Sequence, residues 1–285
     1  MRPLRLFALS VPAFALFAAS ALAESPWQKS YPVSGKPSLT ATTGDSSLEI
    51  HSCGCREVRI RVEWNDRNSG EYTISELQSG DHVNFELREK SHMGFHVGVA
   101  RREPHVFIET PNELDLEART SDGSLKIYGV SGGIALRTSD GSVDVADVSG
   151  AIRLQASDGS IRMHNVSGTL ESRSSDGHVS IDGKLSGVQV HTSDGGLELT
   201  LSEGSQLTAS SRVEASDGSV KIRVPRSLAA DVDIHTGDGH IDCQLPLTMS
   251  GYNSGGGHNI RGKLNNGGMP LTIHTSDGSV TIAAL

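Results

Sequence analysis

The feature that most constrains this chain is an Asp-Gly dipeptide that returns at a fixed distance. Asp122, Asp140, Asp158, Asp176 and Asp194 are each followed by glycine and stand 18 residues apart, and further copies follow at longer intervals at Asp217, Asp238 and Asp277. A short fixed period is the signature of a stacked repeat, since one unit cannot bury its apolar face alone. Asp-Gly between alternating apolar residues marks a tight turn joining two strands. A second turn reads Val-Ser-Gly, at 130–132, 148–150 and 166–168.

The columns of the repeat fall out by counting from each aspartate. Three residues on come Leu125, Val143, Ile161, Val179, Leu197, Val220, Ile241 and Val280; five on come Ile127, Val145, Met163, Ile181, Leu199, Ile222, Cys243 and Ile282. The position between them is always polar, as at Lys126, Asp144 and Arg162. Alternation with period two is a strand with one buried and one solvated face. On the incoming side Ile134 and Leu136, Ile152 and Leu154, and Val188 and Val190 alternate in the same way. The predicted fold is all-β: a β-solenoid of stacked rungs, roughly 18 residues and two strands each.

The register also fits near residues 39–50, where Leu39, Ala41, Thr43, Gly44, Asp45, Leu48 and Ile50 occupy the same columns, and Thr43-Gly44-Asp45 matches Thr236-Gly237-Asp238. Residues 24–113 otherwise lack the period and are expected to form an N-terminal β-rich cap containing that first rung. Residues 24–36 read as an extended lead-in. The repeat body is expected over 114–285, with one degenerate rung hidden in the long interval between Asp238 and Asp277. The last rung, ending at Ile282-Ala283-Ala284-Leu285, is expected to present a strand edge that another segment or a second chain must cover.

Residues 1–23 combine Arg2 and Arg5, an apolar run and the ending Ala21-Leu22-Ala23, the pattern of a secretory signal peptide cleaved after Ala23. No later apolar run is long enough to cross a bilayer as a helix, so the mature chain is expected to be extracytoplasmic, periplasmic or secreted, without a transmembrane segment. Removing residues 1–23 takes two arginines and no acid, shifting the net charge from −9 to −11. That disfavours nucleic acid, which needs clustered Lys and Arg. Aromatic residues make up 4% of the chain, too few for a large aromatic platform. The abundant glycine is expected to supply positive φ in the repeating turns.

The signal sequence, the early Leu-Thr-Ala-Thr-Thr-Gly-Asp rung at 39–45, and the repeated Thr-Ser-Asp-Gly-Ser with Val-Ser-Gly resemble a bacterial family of domains of unknown function, the putative-adhesin family of β-strand repeat-containing proteins. The resemblance covers nearly the whole mature chain. It implies an extracytoplasmic β-solenoid and supplies no catalytic residues.

Several sets of residues invite a chemical role. The aspartate ladder at 122, 140, 158, 176 and 194 places carboxylates roughly 5 Å apart on successive rungs. It could hold calcium, or each carboxylate could accept hydrogen bonds from its own turn amides; the absence of the Gly-Gly-x-Gly-x-Asp nonapeptide favours the turn role. Three residues before each aspartate stands a polar column, Arg119, Arg137, Gln155, Arg173, His191, Glu214, His235 and His274. It suits an anionic polymer, or salt bridges between rungs that contribute only about 0–1 kcal/mol each. Its three histidines are expected on non-adjacent rungs. His92 and His96 have metal-ligand spacing on a helix, but Gly94 and Gly98 argue against one. Cys243 falls on an inward column, leaving Cys53 and Cys55 free to bridge each other. No Gly-x-Ser-x-Gly elbow is present.

No catalytic, cofactor-binding or metal-ligating residue is therefore assigned. The expected function is non-enzymatic: an adhesin-like binding protein or structural protein of the cell envelope, meeting an envelope protein or glycan and open to self-association through a strand edge. The alternative is a polysaccharide-active lyase or hydrolase with its site in irregular loops near His92–Arg102 or Gly251–His258.

Overall fold

The computed structural model describes residues 26–64, 69–90, 103–249 and 258–285. The proposed signal peptide, His92 and His96, and all but His258 of the two irregular loops lie outside them. In chain order the strands are β1 (Trp27–Pro32), β2 (Ser38–Thr43), β3 (Ser47–Cys53), β4 (Glu57–Glu63), β5 (Tyr72–Ser79), β6 (His82–Glu89), β7 (His105–Pro111) and β8 (Glu113–Arg119). There follow β9 (Leu125–Tyr128), β10 (Ser131–Arg137), β11 (Val143–Ala146), β12 (Ser149–Gln155), β13 (Ile161–Ser174), β14 (Val179–Thr192), β15 (Leu197–Leu201) and β16 (Ser211–Ala215). The last are β17 (Val220–Val224), β18 (Ala230–Thr236), β19 (Ile241–Cys243), β20 (Leu247–Met249), β21 (Asn259–Leu264), β22 (Pro270–Thr275) and β23 (Val280–Ala284). The molecule is all-β and solenoid-like, with one 3-10 turn, at Ser69–Glu71, among the described residues.

The strands form two faces joined at the turns. Through the repeat body they pair in parallel and in register: Ile134 with Ile152 and Leu136 with Leu154 on the first face, Val143 with Ile161 and Val145 with Met163 on the second. The paired apolar residues point inward and merge into one core, where Val143, Val145, Ile161 and Met163 are 0–2% exposed. Arg162, between two of them, faces solvent, and Asp144 is half-exposed. Strands β13 and β14 are long enough to serve both faces, β13 turning the corner near Val166-Ser167-Gly168 and β14 near the paired Gly183-Lys184-Leu185.

The order of strands in space departs from the order in the chain at both ends. On the first face it runs β5, β6, β2, β8, β10, β12, β13, β14, β16, β22, β18, β21, β20. On the second it runs β1, β4, β7, β3, β9, β11, β13, β14, β15, β17, β23, β19. Thus β2 and β3 lie between β6–β7 and β8–β9, while β22 and β23 lie between β16–β17 and β18–β19. The last strand is consequently covered on both sides, by β17 and β19, and the covering segment is part of this chain. The segment before it contains no additional rung among the described residues: β20 and β21 form an antiparallel pair that closes the edge of β18. The lead-in also contains a strand, β1, antiparallel to β4.

The turns correct two expectations. The amides of Ser139, Asp140 and Gly141 all donate to the carbonyl of Ser121, and those of Ser157 and Asp158 to that of Ser139. Turn amides are thus satisfied by the serine carbonyl of the neighbouring rung, and no carboxylate of the aspartate ladder accepts a hydrogen bond among the described residues. The side-chain clamp is the threonine two residues before the aspartate: Thr138 Oγ1 donates to Ser121 O at 3.1 Å and accepts from Gly141 N at 3.2 Å. The Asp-Gly glycines do not have positive φ. A Cβ on Gly159 would stand 2.0 Å from the carbonyl oxygen of Gly141, so close stacking excludes any side chain there. Positive φ belongs to the Val-Ser-Gly corner, with 130°, 122° and 109° at Gly132, Gly150 and Gly168.

Candidate functional site

The polar column on the first face is continuous. Strand order puts Arg119, Arg137, Gln155, Arg173, His191, Glu214, His274 and His235 on successive strands. The expected separation of the histidines is overturned: insertion of β22 beside β18 stacks the His274 and His235 rings with centroids 5.1 Å apart, and Glu214 lies between His274 and His191. As a polyanion track the column is cut by lateral acids. Arg119 pairs with Glu117, Arg173 with Glu171 at 2.5 Å, and Arg212 with Glu214 at 2.9 Å. The hollow beside His191 and Arg212 has a volume of about 120 Å³, below the roughly 300 Å³ at which ligand pockets begin.

A different region concentrates the chemistry. On the second face, the outward positions of β4, β7, β3 and β9 carry Arg59 and Arg61, then Phe107 and Glu109, then Glu49 and His51, then Lys126 and Tyr128. Inward neighbours Ile60, Ile108, Ile50 and Ile127 are at most 1% exposed, which fixes this alternate set outward. Together with Gln28 of β1, the side chains of β4, β7 and β3 line a cavity of about 430 Å³. Phe107 and Tyr128 are half-buried. Among the described residues they are the Phe, Tyr or Trp side chains that strand alternation points away from the core on either face; Tyr31 and Phe85 point inward.

The polar groups of this patch are knitted together. Arg59 pairs with Glu57 and with Glu109 at 2.5 Å, and Arg61 pairs with Glu63 while its guanidinium sits 5.7 Å above the Phe107 ring. His105 stacks with that ring at a centroid distance of 4.0 Å, and His51 stacks on Tyr128 at 4.7 Å. Glu49 lies between the two imidazoles, with His51 Nε2 at 2.6 Å and His105 Nε2 at 3.4 Å. The latter nitrogen is buried and lacks a hydrogen bond of good geometry. Burial acts to raise the pKa of Glu49, but the hydrogen bond from His51 and the charges of His51, Lys126 and His105 outweigh it and hold the carboxyl below its usual value. Burial pushes the His105 imidazole down, and nearby Lys126 adds to this against the pull of Glu49.

Cys53 and Cys55 are bridged, with Cα atoms 5.2 Å apart, and Cys243 is free and half-buried on the edge strand β19. Among the described residues, no group of three or more His, Cys, Asp and Glu side chains is placed to hold a metal ion, and no helix is long and apolar enough to cross a membrane.

Sequence reasoning missed the patch. His51, Phe107 and Tyr128 were each legible as outward residues of a strand. Their proximity depends on β3 lying between β7 and β9, which no local pattern announces.

A family model described as Toastrack DUF4097 matches residues 38–283. No curated protein matches. Among solved structures, similarity extends to a putative adhesin from Bacteroides fragilis (10% identity, 91% of this chain and 98% of that one, TM-score 0.42). It also extends to a putative lipid binding protein from Parabacteroides distasonis (14% identity, 91% and 97%, TM-score 0.36) and a putative cell adhesion protein from Clostridium sporogenes (13% identity, 92% and 100%, TM-score 0.28).

Proposed function

This chain belongs to the Toastrack DUF4097 family, and on that premise we propose that it is a non-enzymatic, adhesin-like binding protein of the extracytoplasmic space that meets an envelope protein or glycan at the Phe107–Tyr128 patch. In this proposal residues 1–23 are a signal peptide removed after Ala23, residues 24–113 supply the cap and first rung, and 114–285 form a body of roughly 18-residue, two-strand rungs. No catalytic, cofactor or metal residue is assigned.

The observation that carries the reading is that one outward aromatic side chain, Phe107, lines the 430 Å³ cavity while the second, Tyr128, stacks on His51 of the same lining, at one end of the solenoid. Exposed aromatic anchors in a concave setting are where binding energy concentrates. Glycoside chemistry would instead ask for an acid kept protonated beside an ionised one. In the patch Glu49 is held in its ionised form by His51, Lys126 and His105 against the effect of burial.

The test is photo-crosslinking in intact cells, with a benzophenone amino acid at Tyr128 and, separately, at Arg153 on the opposite face. Capture of the same envelope component from Tyr128 but not from Arg153 is the expected result. Equal capture from both positions, or turnover of a glycan by the purified protein, would overturn the reading.

A further inference from the structure

We propose that the ligand of the Phe107–Tyr128 patch is a neutral saccharide, an inference that rests on the binding role proposed above and narrows it to one chemical class. Four observations converge on it.

The first is charge. Arg59 is occupied by Glu57 and Glu109, Arg61 by Glu63, and Glu49 by His51 and His105. Lys126 lies outside the cavity lining, so a fully charged ligand held within the cavity would have to break these pairs or leave its own charge unmatched, and an uncompensated charge in a cavity is costly. The second is the nature of what remains. Arg61, Gln28 and His51 retain donor capacity at the cavity wall, while Glu49 and Glu109 retain acceptor lone pairs. Donors and acceptors interleaved at this density match hydroxyl groups, each of which gives one hydrogen bond and accepts others.

The third is apolar contact. The Phe107 ring at the cavity wall and the Tyr128 ring beyond His51 offer flat hydrocarbon surface next to these polar groups, and a sugar ring presents C–H groups beside its hydroxyls. The fourth is position in the sheet. An extended peptide binds by adding a strand to a free edge, and the edge on this side is β1. Phe107 stands two strands in and Tyr128 four strands in, about 10 Å and about 19 Å from that edge at the usual strand spacing. A peptide paired with β1 would not reach both rings. A ligand that contacts side chains alone would.

The experiment is isothermal titration of the full mature chain with chitotriose, cellotriose and maltotriose, with trigalacturonate and a polyglutamate peptide as charged comparators. At least one neutral trisaccharide should bind, Phe107→Ala and Tyr128→Ala should each weaken it about tenfold or more, and raising salt to about 0.5 M should change its affinity less than twofold. Circular-dichroism melts should stay cooperative in both variants, and Arg153→Ala on the opposite face should bind like wild type. The proposal is overturned if all three neutral sugars fail to bind, if Phe107→Ala leaves their binding unchanged, or if only the charged comparators bind. Tyr128 crosslinking to an envelope protein together with failure of the sugars would retain the binding role and remove the saccharide; absence of both would remove the two together.

Discussion

At each end of the stack, a terminal segment of the chain returns to an interior position: β2 and β3 at one end, β22 and β23 at the other. The ends differ in how the remaining edges are closed. At the N-terminal end both faces finish in antiparallel strands, β5 on one and β4 with β1 on the other. There β1 meets β6 and β5 from the other face: Trp27 lies 5.8 Å from Phe85 of β6, and Glu76 of β5 accepts from the Tyr31 hydroxyl at 2.9 Å while pairing with Lys29. At the C-terminal end the first face is closed by β21 and β20, but the second finishes in the three-residue β19 with no described strand beyond it. The comparison teaches where specialised chemistry collects. Outward residues of the body strands are small, polar or charged apart from Tyr128 on β9, the rung that stacks on β3. Cap strands are released from that rule, and β4 and β7 use the freedom to carry Arg59, Arg61, Phe107 and Glu109.

The largest expected effect tests whether both insertions are real. Ile50→Asp in β3 and Ile282→Asp in β23 each put an unpaired charge where the native side chain is 0% exposed, at a cost on the order of 4 kcal/mol or more. Both should lose cooperative urea unfolding. An Ile282→Asp variant as stable as wild type would mean that β23 is not enclosed between β17 and β19.

Smaller, and unequal at the two ends, are the effects of a methyl group at the matching Thr-Gly-Asp turns. A Cβ on Gly237 would meet the Ser276 carbonyl oxygen at 2.5 Å, whereas one on Gly44 meets nothing within 4 Å. Gly237→Ala should cost about 1–3 kcal/mol and Gly44→Ala close to nothing. Equal destabilisation would show that the two turns are packed alike.

Between the ends, Thr138→Val should cost about 1 kcal/mol, because it removes the clamp on Gly141 N and Ser121 O. Asp158→Ala should stay within about 0.5 kcal/mol, since the turn amides already have carbonyl partners. Chelation should leave the melting temperature unchanged. A large rise on adding millimolar calcium would return the aspartate ladder to consideration as ligands.

The smallest effect is a difference in titration. By NMR, His105 at the cap should titrate below 6.5 because of burial, and His164 in the body above 6.5 because Asp182 lies 2.7 Å from its Nδ1. For His105 the unfolded chain binds the proton more readily, so acidification below pH 6.5 weakens the N-terminal end. For His164 the sign reverses: its contribution is full below pH 6.5 and fades as pH rises through the folded value. Finding both at 6.5 would remove the burial of His105 and the His164–Asp182 contact from the solution structure.

The aliphatic columns were legible because burial imposes them on each strand separately. Val143, Val145, Ile161 and Met163 could be assigned to the core from alternation alone. The Asp-Gly turn was visible too, but its mechanism was not. Which group satisfies the Asp140 amide is a matter of contact with the next rung, where Ser121 supplies the oxygen, and the residue name suggested the wrong partner. The same limit hid β1 within a proline-containing lead-in and the antiparallel β20–β21 pair within an irregular interval.

The sequence by itself determined the β class, the inward and outward identity of residues along the repeats, and the positions of the repeating turns, since each follows from periodicity within a short stretch of chain. Tertiary structure decided the order of the rungs. Every rung offers its neighbour much the same aliphatic columns and open backbone groups, so one rung can stack on another with little local preference, and loop closure costs rise only slowly with length. Only the assembled fold sets β3 between β7 and β9 and β22 between β16 and β18, and with that choice it brings His51 beside Tyr128, Phe107 beside Glu49 and His274 beside His235.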